Sequence, residues 1–143
     1  ETPDYRLKVL IGRFADVSAP IVDNITDVSY LDVQVQPGKH FQNHLPVENN
    51  SFLYVFEGSG QLDGHMVPLH SLVTVESDDR SFDFIAGKTG ARFVVVSGKP
   101  IREPIVQYGP FVMNTREQID QAMKDFQSND FVRDRAWIKR DKR

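Results

Sequence analysis

The chain of 143 residues contains no cysteine, a single tryptophan and four histidines. Without cysteine there can be no disulfide framework and no thiolate zinc site, a usage that fits an intracellular protein. Long apolar runs are also missing. Stretches such as Phe93 to Val96 fall far short of the roughly 20 residues a spanning helix requires, so no membrane partner is expected. No basic-then-apolar leader is read at the start, and secretion is not expected; a cytoplasmic or nuclear location is. The serines read as turn residues, at 29, 51, 59, 71, 77, 81 and 97, without the strand-to-helix elbow an acyl-transfer nucleophile needs. Gly58-Ser-Gly60 and Gly87-Lys-Thr-Gly90 lead into no helix, which removes the backbone cradle for a phosphate.

What is present is an ordinary globular composition, 40% apolar and 26% charged, of a length that suits one core. Formal net charge is −3, unevenly spread: residues 133–143 carry +4 and the remainder −7. One aromatic residue, Trp137, in that basic tail makes a poor stacking platform, so nucleic acid is not an expected partner. Trp137 and Ile138 suit either a docked segment or a solvated tail.

Alternation with period two recurs along the first two-thirds. Leu7, Val9 and Ile11 alternate with Arg6 and Lys8, Leu10 being the misfit. Leu31, Val33 and Val35 alternate with polar residues and stop at Pro37-Gly38, and a further strand is predicted between Lys39 and Leu45. Ser51 to Glu57 is apolar on both faces, which predicts a central strand. Gly58 to Gly60 then reads as a turn, and Gln61 to Gly64 as a short strand ending in an Asp-Gly hairpin. Leu72 to Glu76, Ser81 to Phe84 and Arg92 to Ser97 complete the set, with an acidic loop at Glu76, Asp78 and Asp79 and a turn at Gly87 to Gly90. Seven or eight short strands predict an antiparallel sandwich or barrel.

The period then changes. Ile119, Ala122, Met123 and Phe126 share one face of a helix, Asn114 or Thr115 can cap it, Thr115 and Gln118 have the form of a capping box, and Asp120 and Lys124 stand four apart outside. Entry is through Gly109-Pro110. The expected organisation is a linker-like start at 1–4, a β-domain at 5–113, a helix at 114–127 and a basic tail at 128–143.

The segment Tyr108 to Ile119, Y-G-P-F-V-M-N-T-R-E-Q-I, resembles the C-terminal signature of the pirin family, proteins of two cupin domains in tandem. The resemblance implies a mainly β fold, an antiparallel double-stranded β-helix (cupin jelly roll) with one C-terminal α-helix. It also implies an upstream cupin domain before Glu1 as partner, or a homodimer mate.

A cupin metal motif runs Gly, five residues, His-x-His, a Glu and a later Gly. Gly38 and His44 fit it, Pro46 stands where the second imidazole belongs, Glu48 follows, and Gly58 or Gly60 could close it. No histidine follows His70 to complete a second motif. The metal candidates are therefore His40, His44 and Glu48, too few for a closed site, while His65 and His70 suit the surface. In pirin-like proteins the metal belongs to the first domain. The expectation here is no catalytic residue, no cofactor and a structural or interaction role. The alternatives are a quercetin-type dioxygenase, using iron or another divalent metal, and a small-molecule sensor. For the latter, Phe52, Tyr54, Phe56, Phe82, Phe84 and Phe93 either fill a core or line a barrel mouth able to take a small aromatic ligand.

Overall fold

A computed structural model describes residues 2–21, 23, 25–75 and 81–132. The acidic loop at Glu76, Asp78 and Asp79 and the tail at 133–143 with Trp137 and Ile138 lie outside the described residues. The chain parts into two compact units, one up to Ile101 and one from Arg102 onward.

The first unit is an antiparallel sheet built on two long strands, β6 (Asn50–Leu62) and β9 (Ser81–Gly98). Strand β9 pairs at its start with β5 (His40–His44) and at its end with β4 (Ser29–Val35), while β6 runs along its other edge. Strand β1 (Tyr5–Ile11) adds to β4, and β7 (His65–Val67) and β8 (Leu72–Thr74) add to β6. The sheet folds over on itself, because Phe41 of β5 meets Tyr5 of β1 at 5.0 Å and Phe93 of β9 at 5.8 Å between ring centroids.

Alternation decides what goes inside. On β4, Leu31, Val33 and Val35 are buried and Asp32 and Gln34 face the other way. Leu10, the misfit of β1, is the extra residue of a bulge: Val9 faces Leu31 and Ile11 faces Tyr30, leaving Leu10 unpaired and exposed. The Asp63-Gly64 pair makes the hairpin turn expected of it, with Leu62 opposite His65.

Two expected turns are not turns. Gly58 to Gly60 lies within β6 and Gly87 to Gly90 within β9, so each strand passes through its glycines and serves both halves of the sheet. The register shifts there, and the backbones close up: a Cβ on Gly58 (φ +69°) would stand 2.1 Å from the Gly90 carbonyl oxygen. A Cβ on Gly60 would stand 2.4 Å from the Phe84 ring. Glycine is needed for the corner rather than for a reversal.

The second unit holds a hairpin, β10 (Val106–Tyr108) and β11 (Phe111–Met113), and helix α1 (Arg116–Gln127) packed on it. Gly109-Pro110 is the hairpin turn, with Gly109 at φ +55°. Thr115 is the N-cap, and the capping box with Gln118 is present. Ile119 and Ala122 are buried, Met123 is half-buried, and Phe126 is exposed beside Phe111 and Phe131. Asp120 lies 3.6 Å from Arg116, one turn before it, while Lys124, the partner expected from the spacing, stands one turn after. A short hairpin in the first unit, β2 (Arg13–Phe14) with β3 (Val17–Ser18), is the one described pairing the alternation did not suggest there.

Candidate functional site

Strand β5 places its two histidines by parity. Phe41 is fully buried, so His40, Gln42 and His44 take the opposite face and are exposed. His40 and His44 do share a face, as the spacing required, but it is the outer one. There the His40 Nδ1 lies 3.1 Å from an Asp83 carboxylate oxygen. Glu48 sits in the loop after β5 with its carboxylate 3.8 Å from the Lys99 Nζ. Among the described residues, no three His, Asp or Glu side chains converge on a point that could hold an ion. The inward aromatic positions of β5 and β9, Phe41, Phe82, Phe84 and Phe93, offer no donor atom. Among the described residues, the side chains here do not fit a metal.

The six aromatics expected to line one interior are divided between two faces. Phe82, Phe84 and Phe93 point in and close on Phe41, with Phe84 and Phe93 at 4.4 Å and Phe41 and Phe82 at 6.0 Å. Phe52, Tyr54 and Phe56 point out and stay half-buried, because Leu53 and Val55 take the inner positions of β6. The inner group fills space rather than lining it. The outer group joins Tyr30, Val94 and Val96, all half-buried, and the 60% exposed Leu72, in register across β4, β9, β6 and β8. The Tyr54 hydroxyl lies 3.5 Å from the His70 Nδ1.

Polar anchoring borders this outer face. The Arg92 guanidinium donates twice to Asp32, from Nε at 2.9 Å and from Nη2 at 2.6 Å, and stands over the Phe56 ring at 5.2 Å. The Arg92 hydrogen bond holds the Asp32 carboxyl below its ordinary range against the opposing effect of burial, and the same bond raises the Arg92 pKa.

A cavity of about 630 Å³ opens at one end of the barrel, between the β2–β3 hairpin, the start of β4, the end of β5 and the end of β9. Phe14, Leu31 and Leu45 form apolar wall; Asn49 and Ser97 form part of its polar lining. Ser97 is not a turn residue: it closes the inward series Phe93, Val95, Ser97 on β9, directly opposite Ser51 on β6, and both serines are buried. The Ser51 hydroxyl donates to the Ser97 Oγ at 2.9 Å, and the Asn49 Nδ2 donates to the same oxygen at 3.1 Å. These serines bond to each other and to an amide, so the arrangement is not a nucleophile with its base. Sequence reading missed Asn49 altogether. The signal that could have found the group is a serine at an inward position of two otherwise apolar alternations.

The model of the Pirin C-terminal cupin domain matches residues 30–132. A pirin-like protein of Solanum lycopersicum is 38% identical over 117 residues, which cover 78% of this chain and 40% of the relative. Human pirin is 36% identical over 119 residues, covering 78% of this chain and 41% of the relative. Among solved structures, a quercetin 2,3-dioxygenase of Acinetobacter baumannii superposes with a TM-score of 0.80 at 25% identity, over 92% of this chain and 45% of that one. The chain thus spans less than half the length of each of these proteins. With the inward-facing apolar barrel, the capped helix and the matched domain all in one chain, the protein belongs to the pirin family, and the part described is its C-terminal cupin domain.

Proposed function

We propose that this domain is a metal-free, non-catalytic cupin whose work is to dock on a second cupin domain, either the upstream domain of the same protein or another copy. The observation that carries the reading is the outer face of β4, β9, β6 and β8. An antiparallel sheet with one solvated face alternates apolar and polar residues, yet here Phe52, Tyr54, Phe56, Val94 and Val96 are apolar on the outside as well. Such a surface favours association because removing it from water is worth about 25 cal/mol for each Å² covered. Arg92, fixed over Phe56 by Asp32, supplies the kind of oriented cation that interfaces favour at an aromatic patch. His40 and His44, turned outward, support a role without a metal in this domain. A cytoplasmic or nuclear setting accords with this role, and no described helix is long and apolar enough to cross a membrane.

Sedimentation of the purified chain, alone and mixed with the N-terminal cupin domain of a pirin, tests the proposal. Association is expected, and a Tyr54→Glu, Val94→Glu double variant that keeps its far-ultraviolet spectrum should lose it. A chain that stays monomeric and ignores the other cupin domain at high micromolar concentration ends the reading. The dioxygenase alternative, suggested by the name of the Acinetobacter structure, is tested by oxygen uptake with quercetin and added metal. Turnover by this chain that disappears in His44→Ala would favour it.

A further inference from the structure

We propose that the exposed ring cluster of the second unit, Phe111, Phe126 and Phe131, is the seat of the chain that follows it: Trp137 and Ile138 cover the rings, and the basic residues around them face the acids of α1. The surface belongs to the second unit, so the inference does not rest on the docking role of the first.

The three rings meet one another, with centroids 5.4 to 6.4 Å apart, yet Phe126 is 64% exposed and Phe131 43%. Among the described residues of this unit, only Ile119 and Ala122 are buried. A unit with so small an interior gains from covering its rings, at about 25 cal/mol for each Å² of apolar surface removed from water.

The end of α1 aims the chain at this cluster. Asn129 takes a left-handed conformation (φ +65°), its N–H donates to the Phe126 carbonyl at 3.3 Å, and the Asp130 N–H donates to the Asp125 carbonyl at 2.8 Å. Such a pair of bonds ends a helix and turns the chain back toward it. Phe131 thereby returns to Phe126 and Phe111, and the described chain ends next to it at Val132. Trp137 follows Val132 by five residues, a reach of at most about 18 Å. A large aromatic side chain is thus tethered beside an uncovered aromatic cluster at high effective concentration.

Charge agrees with that occupant. Residues 133–143 carry six Lys or Arg against Asp134 and Asp141, a net +4. From Arg116 to Asp130 the helix and its cap carry Glu117, Asp120, Asp125 and Asp130 against Arg116 and Lys124, a net −2. Opposite charge brings the segment to the helix, and contact between rings holds it there. A second copy of the same surface is a poorer match, because a symmetric contact sets these acids against themselves.

Trp137 is the only tryptophan of the chain, so its fluorescence tests the contact directly. In the full chain its emission is expected to lie to the blue of that of the free peptide 133–143, with weaker quenching by acrylamide, both independent of chain concentration. Phe126→Ser together with Phe131→Ser should return both readings to the peptide's values, whereas Tyr54→Glu on the sheet should change neither. Should the double variant fail to fold, Overhauser contacts between the Trp137 indole and the Phe126 ring of the unchanged chain decide, and their absence overturns the inference. It is equally overturned by peptide-like emission from the unchanged chain, or by reversion in Tyr54→Glu instead. A blue shift that grows with chain concentration would assign the rings to a second copy, and one that appears only with an added N-terminal cupin domain of a pirin would assign them to that domain; either ends the proposal.

Discussion

The two faces of β6 and β9 carry similar residues and meet different fates. On the inside, Leu53, Val55, Phe93 and Val95 are almost wholly excluded from solvent within one core cluster that also holds Phe41 and Leu31. On the outside, Phe52, Tyr54, Val94 and Val96 remain half-buried. Hydrophobicity alone therefore does not mark the core of this domain; being faced by a second layer does. Under the docking role proposed above, the surplus of apolar side chains on the outer side is the part of the sheet a partner would cover.

The contrast breaks most sharply at Phe84, fully buried and 4.4 Å from Phe93. Phe84→Ala should cost about 3–5 kcal/mol in urea unfolding, as large-to-small changes in cores do. Next comes the corner at Gly58, where a side chain meets both a positive φ and the Gly90 carbonyl. Gly58→Ala is expected to lose about 2–3 kcal/mol, read as a lower urea midpoint with an unchanged slope. Thr115→Ala removes the N-cap of α1 and should cost about 1 kcal/mol, visible as faster amide exchange in the first helical turn.

Asp32 gives a smaller, pH-dependent effect. Because Arg92 lowers its folded pKa, the pair stabilises fully above the ordinary carboxylate value near ~4, and that contribution is lost as pH falls through the lowered folded value. Asp32→Asn should flatten the acid limb of a stability–pH curve by about 1 kcal/mol or less, the pair being partly exposed. Smallest of all is Leu72→Ser on the outer face. It should shift unfolding stability by no more than about 0.5 kcal/mol while weakening attachment to a second cupin domain.

Much of this was legible in the residues. The inward series on β4, the end of that strand at Pro37-Gly38, and the Thr115–Gln118 box each follow from local chemistry, and each formed as read. The glycine corners did not, because a turn and a bulge ask for the same residue and only the partner strand distinguishes them. The direction of Phe52, Tyr54 and Phe56 was equally hidden. A strand apolar on both sides has no intrinsic inside, and it was the pairing with β8 and β9 that supplied one. Asn49 meets Ser97 across 48 positions of chain, a contact set by register rather than by any local pattern. The hairpins β2–β3 and β10–β11 are too brief for a period to show.

Strand β9 hydrogen-bonds to β4, β5 and β6, and it is the last of the four to leave the ribosome. Until residue 98 has been synthesised, β4, β5 and β6 lack the partner they share, and the edges meant for it stay open, a condition that invites wrong pairings. A nascent chain halted in the stretch before β9 is thus the form of this domain with the greatest need of a chaperone, and release of β9 is the event that ends that need.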